Sequence, residues 1–372
     1  MRTILGAAAA MALSLSTPAH GDDGPVVSVV PVTFPAPFLD PAARPGDGPL
    51  DNVLEASAVE AIGDGRLALV AHDKQVPLRV VDVATGRQLG PPITSPAFPA
   101  ETPKSSKWEG MAADTDGNFY VVGSHSGKTD DERSQHERLI RFRLRPVSPA
   151  AEGTNAGPLA IDDASVVCWR IAGPLLRALE REGLPAAALA ERKIEGLTIR
   201  DQAGPDGQHR RELVIGLRQP DDLVRVFAAD IAANPSPEAE LAPRRLFAFD
   251  PGRREGVRCQ LTSLEYLPAW KGFLVVTTTE DTSNAFHGNT LWFVPDARIA
   301  AAGDAAAAPI VADRIWVFEA AQKAEGLCIL PTPTAGGAEA THAVRLLITF
   351  DNDAHATHMP SRYQIVDLVR RP

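Results

Sequence analysis

One short string occurs three times in this chain: Lys107-Trp108-Glu109-Gly110-Met111, Lys193-Ile194-Glu195-Gly196-Leu197 and Lys323-Ala324-Glu325-Gly326-Leu327. Each copy opens an apolar stretch that reaches a turn and then a second strand-like run. The spacing constrains the fold more than any other feature. From Ser57 the turn glycine Gly65 lies 8 positions on and Asp73 lies 16; from Glu109 the same offsets reach Gly117 and His125. Both turns are Asp-Gly between apolar alternations, a hairpin signal, because that pair tolerates positive φ. Further units open at Glu195, Thr262 and Glu325, and each continues into more strand candidates. The five starts are separated by 52, 86, 67 and 63 residues. Repeats of roughly 40–60 residues built from about four strands are the mark of a β-propeller.

The expected fold is therefore all-β: a propeller of five detected units over residues 51–372, with room for a sixth blade in the longest gap. That gap also holds the expected helical insertion, around 174–192, where Pro174 suits a first helical turn and Gly183 a C-terminal cap. Residues 22–50 are expected to contribute one strand, Val26 to Val32, that closes the ring by pairing with the last unit.

The N-terminus reads as an export signal over residues 1–21: Arg2, an Ala/Leu-rich apolar run from Ile4 to Leu15, and small residues around Ala19 for cleavage. A periplasmic or secreted protein is expected. Later apolar runs are too short for a membrane helix. With 37 Lys and Arg against 47 Asp and Glu, and no basic stripe, a nucleic-acid partner is not expected. A monomer is expected. The three cysteines, Cys168, Cys259 and Cys328, allow one disulfide; spacing does not choose the pair, and buried unpaired thiols are the simpler reading.

In a propeller the first strand of each blade lies nearest the axis, and the second strand returns to the same face. That places Glu109 with His125, Glu195 with Arg218, and Glu325 with Asp351 at one channel mouth; Ser57 goes with Asp73, and Thr262 with Thr279. The positions two residues before the ring hold Glu55, Lys107, Lys193, Gln260 and Lys323. Converging carboxylates repel unless a cation or neighbouring lysines compensate. Two readings follow. Glu109, Glu195, Glu325 and Asp351 hold a metal, with Ca²⁺ the best match to oxygen donors, or each Glu pairs with its own Lys as repeated blade glue. Lys107, Lys193, Lys323 and Asp73 are the expected ligand-binding residues.

Three long polar loops, Ser124 to Glu137, Glu280 to Asn289 and Asp351 to Arg362, should open on that face. They carry His125, His136, His287, His355 and His358, five of the nine histidines. Loops gathered on one end of a rigid scaffold commonly carry function. Asp114-Thr115-Asp116-Gly117-Asn118 looks like the start of a Ca²⁺ loop, but the twelfth position holds His125 rather than Glu, and a hairpin turn explains it better.

The Glu-Gly-Leu openings, Leu213-Val214-Ile215-Gly216-Leu217-Arg218-Gln219-Pro220, and Gly256-Val257-Arg258 together resemble a bacterial propeller family with these blade motifs, similar to phytase-like or "esterase-like activity of phytase" propellers. The resemblance implies a Ca²⁺-dependent phosphatase or esterase, with Glu195 and Arg218 as the family positions; on the residues, such a hydrolase would use His125 or His355 as base and Arg218 with the ring lysines to hold the anion. The other reading from the residues is a non-catalytic propeller whose mouth binds a small polar ligand, a glycan or a protein partner. Fold alone does not separate the two.

Overall fold

The computed structural model describes residues 27–33, 35–38, 55–73, 75–98, 107–147, 159–185, 189–190, 192–203, 209–219, 221–231, 241–283, 285–303, 308–318, 322–331, 343–351 and 361–370. Its strands form five separate antiparallel sheets, one per repeat unit. The first strands of the units are β3 (Ala56–Ile62), β7 (Trp108–Ala113), β11 (Lys193–Ala203), β16 (Val257–Leu267) and β20 (Ala324–Leu330). Each touches the next, and β20 touches β3, so the inner strands close a ring. The molecule is a five-bladed β-propeller. No sixth blade fills the long gap. There β9 (Leu139–Pro146) and β10 (Leu159–Trp169) complete blade 2.

Within each blade the second strand pairs with the first: β4 (Leu67–His72), β8 (Asn118–Gly123), β12 (His209–Gln219), β17 (Gly272–Glu280) and β21 (Ala343–Phe350). Blade 5 takes its outer strand from the other end of the chain. There β1 (Val27–Pro31) pairs with β22 (Arg362–Arg370), Val29 opposite Leu368. Residues 1–26, where the export signal is expected, lie outside the described residues.

The apolar alternation of the strands has a simple outcome. There is no single central core. Five buried clusters lie between neighbouring blades, one at each interface. Leu69 and Val80 meet Met111 and Val121 between blades 1 and 2; Val59 and Val70 meet Leu330 and Leu347 across the closure. Each buried Leu or Phe contributes about 1.5–3 kcal/mol, so every interface is held by several such groups and the axis is left to polar residues. The glycine of the Glu-Gly motif is part of this packing. A Cβ on Gly110 would come 2.8 Å from Leu197 Cβ of the next blade, and one on Gly196 2.7 Å from Leu264 Cβ. The inner strands approach too closely there for any side chain. At the far ends of the first two hairpins, Gly65 and Gly117 take φ of +77° and +79°, as Asp-Gly turns require.

Three short helices occur among the described residues. Helix α1 (Asp130–His136) lies inside the first of the long polar loops, and Thr129 caps it by accepting from the Glu132 amide at 3.2 Å. Helix α2 (Ala172–Arg181) is the expected insertion; it buries Leu175 and Leu179 against the interface of blades 2 and 3. Its start precedes Pro174 by two residues, and Pro174 sits within the first turn, where a missing N–H costs nothing. Helix α3 (Asp296–Ala302) follows β18 (Phe286–Pro295). None of Cys168, Cys259 and Cys328 is disulfide-bonded; Cys259 Sγ lies 3.2 Å from Thr279 Oγ1. Among the described residues no helix is long and apolar enough to cross a membrane.

Candidate functional site

All five ring positions share one backbone feature. The pairing of the first two strands slips by a residue at Ser57, Glu109, Glu195, Thr262 and Glu325. Each is the extra residue of a β-bulge, left out of the ladder so that its side chain is re-aimed. The five side chains are all buried. Where the residue is small and neutral, it ties blades together. Ser57 Oγ donates to the Trp108 carbonyl of blade 2, and Thr262 Oγ1 donates to the Ala324 carbonyl of blade 5 at 2.8 Å.

Where the residue is Glu, it enters a belt of charges around the mouth. The Lys193 ammonium contacts Glu195 and lies 3.5 Å from Glu109 of the preceding blade. Arg218 reaches Glu195 at 3.4 Å, Glu280 at 2.8 Å and, through Nε, Gln260 at 3.0 Å. Lys323 lies 3.4 Å from Glu280 and 3.1 Å from Glu325. Four carboxylates and three cations thus alternate from blade 2 to blade 5. The contacts between Lys and Glu two residues apart follow from strand alternation; those that cross blades come from the ring.

The belt borders a cavity of about 400 Å³. Asp73, Glu109, Lys193, Arg218, Glu280 and Lys323 line it, as do Gln260, Asp281, Thr282, Glu325 and Asp351. Burial holds Glu109 well above the usual carboxylate range, with repulsion from Glu195 adding to it and Lys193 only partly offsetting it. Burial also raises Glu325, against the pull of Lys323. Burial acts to raise Glu280, but Lys323 and Arg218 outweigh it and hold it low. For Lys193 and Arg218 burial acts downward and is overridden by their carboxylates, so both stay charged.

The residues expected from the sequence divide into three groups. Asp73, Glu109, Lys193, Arg218, Lys323, Glu325 and Asp351 line the cavity, and Glu195 stands directly behind it in contact with Lys193 and Arg218. Lys107 is not among the lining residues; its backbone takes φ of +44° at the entry to β7. His125 is not among them either. Its φ of +59° turns it beneath the loop, where it is fully buried with no partner for either ring nitrogen among the described residues. Burial, then the nearby Arg192 charge, pushes its pKa down to about 3, so it stays neutral. His355 lies outside the described residues.

The calcium expectation can be tested on the donor set. Ca²⁺ takes six to eight oxygens, whereas Glu109, Glu195 and Glu325 already face ammonium or guanidinium groups. Three of the four expected donors therefore already have cation partners that Ca²⁺ would have to displace. A second acidic group, Glu55, His72 and Asp73, brings its ligand atoms within 4.8 Å of one another. There His72 Nε2 accepts from the Glu55 amide at 3.0 Å, so the proton of a neutral ring sits on Nδ1, 4.0 Å from Asp73. That ring has no lone pair left for a cation.

Two further features escaped the sequence reading. Three residues beyond each ring position stand Glu60, Ala112, Thr198, Glu265 and Cys328. Burial raises Glu60 to about 8 and Glu265 well above the ordinary range, and Glu60 adds repulsion to Glu265. The register itself was the signal that could have found them. At the rim, His287 bridges Glu255 at 2.9 Å and Asp281 at 3.4 Å.

No family model matches the sequence, and no curated protein matches it. The expected phytase-like family therefore gains no support, and the propeller stands on the ring of sheets. Solved structures of similar shape include the Dos1 propeller, at 10% identity and a TM-score of 0.34 over 80% of this chain and 56% of that one. An exo-β-1,3-galactanase from Phanerochaete chrysosporium bound to β-1,3-galactotriose gives 8% and 0.43 over 91% of this chain and 63% of that one. The Nup170 N-terminal domain in complex with Nup53, from Chaetomium thermophilum, gives 11% and 0.43 over 86% and 44%. This chain thus spans about half to two thirds of those proteins. At such values the likenesses say nothing about function.

Proposed function

We propose that this chain is an exported binding propeller that holds a small polar ligand in the mouth cavity. One observation carries the reading. Seven buried or half-buried charged side chains from four blades are positioned by one another around an open space of about 400 Å³. A ring held only for stability would gain more from apolar packing, because desolvating paired charges costs about as much as their attraction returns. Polar groups fixed in advance around a cavity of ligand size are what recognition requires. Export is supported by Arg2 and the apolar run from Ile4 to Leu15.

The test is a thermal-shift screen of small polar compounds against the wild-type protein, Arg218→Ala and Glu195→Gln. A ligand bound to the native state alone raises the midpoint. At least one compound should raise the wild-type midpoint and leave both variants unmoved. If no compound shifts the wild type, or the shift survives both changes, the ligand site is not here. Turnover of phosphate or carboxylic esters that depends on Arg218 would replace binding with hydrolysis.

A further inference from the structure

The mouth is uneven in charge, and the unevenness indicates what it takes. Among the described residues, six carboxylic acids line the cavity against three bases. The bases are confined to blades 3 and 5: Lys193 and Arg218 on one, Lys323 on the other. Glu109, on blade 2, is the least compensated member of the belt. The cation facing it is Lys193, at 3.5 Å, and Lys193 is in closer contact with Glu195. The Glu109 side chain is only 5% exposed, so water does little to make up the difference.

Resting on the binding reading above, we propose that the ligand carries an ammonium group and seats it against Glu109. An ammonium ion offers directional N–H donors to a carboxylate that has half a partner, and its charge reduces the excess of acids. Burial favours a proton on Glu109 and an arriving ammonium disfavours it, so binding shifts Glu109 towards releasing a proton. An anionic ligand would bring its charge into a cavity already rich in carboxylates. A divalent metal would have to displace Lys or Arg from the oxygens it needs. The space of about 400 Å³ admits a short polyamine or an amine of sugar size.

Three four-carbon probes of similar length isolate the charge: putrescine, 1,4-butanediol and succinate. Titration calorimetry of the wild-type protein should show putrescine binding at least about tenfold more tightly than butanediol, and succinate not binding. Repeating the putrescine titration in two buffers of different ionisation enthalpy should reveal proton release. Glu109→Gln copies the protonated carboxyl in size, so the fold should persist. In that variant the preference for putrescine over butanediol and the proton release should both vanish.

Butanediol or succinate binding as tightly as putrescine overturns the ammonium and leaves the binding reading intact. Putrescine binding that is unchanged in Glu109→Gln overturns the seat. Calcium binding that depends on Glu109 and excludes putrescine replaces the ammonium with a metal. If a neutral or anionic compound from the screen binds through Arg218 and no amine does, the charge inference fails alone. If nothing binds, both fail.

Discussion

The two ends of the inner strands use the same chemistry to different effect. At the end opposite the mouth, Arg211 holds Asp114 at 3.0 Å, Asp116 at 2.7 Å and Asp201 at 2.8 Å, which clamps blade 2 to blade 3. Asp114 also accepts from the Asp116 and Asn118 amides, from the Asn118 side chain and from the Tyr120 hydroxyl. Both oxygens of Asp114 are thus fully supplied with donors. This is why Asp114-Thr115-Asp116-Gly117-Asn118, which looked like the start of a Ca²⁺ loop, is a hairpin turn with its oxygens filled. At the mouth three cations and four carboxylates alternate, burial favours the neutral form of Glu109, and the network surrounds a cavity instead of closing on itself. A network that closes on itself is a clamp; one that borders open space has capacity to bind.

That contrast can be broken from either side. The largest effect should come from Asp114→Ala, which leaves the Asn118 amide and side-chain donors and the Tyr120 hydroxyl without their buried acceptor and takes one of three carboxylates from Arg211. We expect a loss of about 3–5 kcal/mol in urea unfolding, with ligand binding at the mouth unchanged per folded molecule. Arg218→Ala should cost less, about 2–3 kcal/mol, since Glu195 loses one of two cations and Glu280 keeps Lys323. It should weaken binding at the mouth, because Glu195, Glu280 and Gln260 lose the guanidinium that holds them in place. A clamp variant that lost binding, or a mouth variant that kept it, would erase the distinction.

The interior of the channel gives a third case, Glu60 and Glu265, whose neighbours in the register are Ala112, Thr198 and Cys328 and include no cation. Glu60 accepts from the Ala61 amide at 3.0 Å and has its pKa raised from 4.5 to about 8. The native state therefore holds a proton that the unfolded chain has released. The contribution of Glu60 to stability is greatest below the ordinary carboxyl range and falls as pH rises from about 4.5 towards 8. Glu60→Gln should remove that slope and raise stability near neutral pH by about 1 kcal/mol or more, the equivalent of one pKa unit. Unfolding curves across this pH range for both proteins would show it; parallel slopes would mean that Glu60 ionises normally. The smallest effect belongs to the neutral ring positions. Thr262→Val removes one of two donors to the Ala324 carbonyl, the other being Asn289 at 2.9 Å, and should cost about 0.5–1 kcal/mol without touching binding.

The sequence made the fold legible because a propeller repeats its local physics. Glycine follows the ring residue in three of the five blades, Asp-Gly turns the first two inner hairpins, and a polar residue stands wherever the bulge faces the axis. The mouth followed from the same register, which brought Glu195 to Arg218 and Glu325 to the cavity shared with Asp351. What the register could not supply was the partner across blades. Lys193 to Glu109 and Lys323 to Glu280 depend on ring closure and on side-chain reach, and no local spacing encodes them. His125 shows the limit most clearly. Its offset matched that of Asp73, yet the left-handed backbone at that one residue turned it into the protein and away from the cavity. Helix α1 was missed for a different reason. Thr129 and Glu132 stand at capping spacing, but the segment is short and polar, and it has no apolar periodicity to draw attention.

The most direct test of the mouth as a ligand site is a crystal structure of the wild-type protein grown with putrescine. Density in the cavity should place one ammonium nitrogen within about 3 Å of the Glu109 carboxylate, with the belt from Lys193 to Lys323 unchanged around it. Putrescine bound at the Arg211 end, or a mouth filled by water alone at saturating concentration, would contradict it.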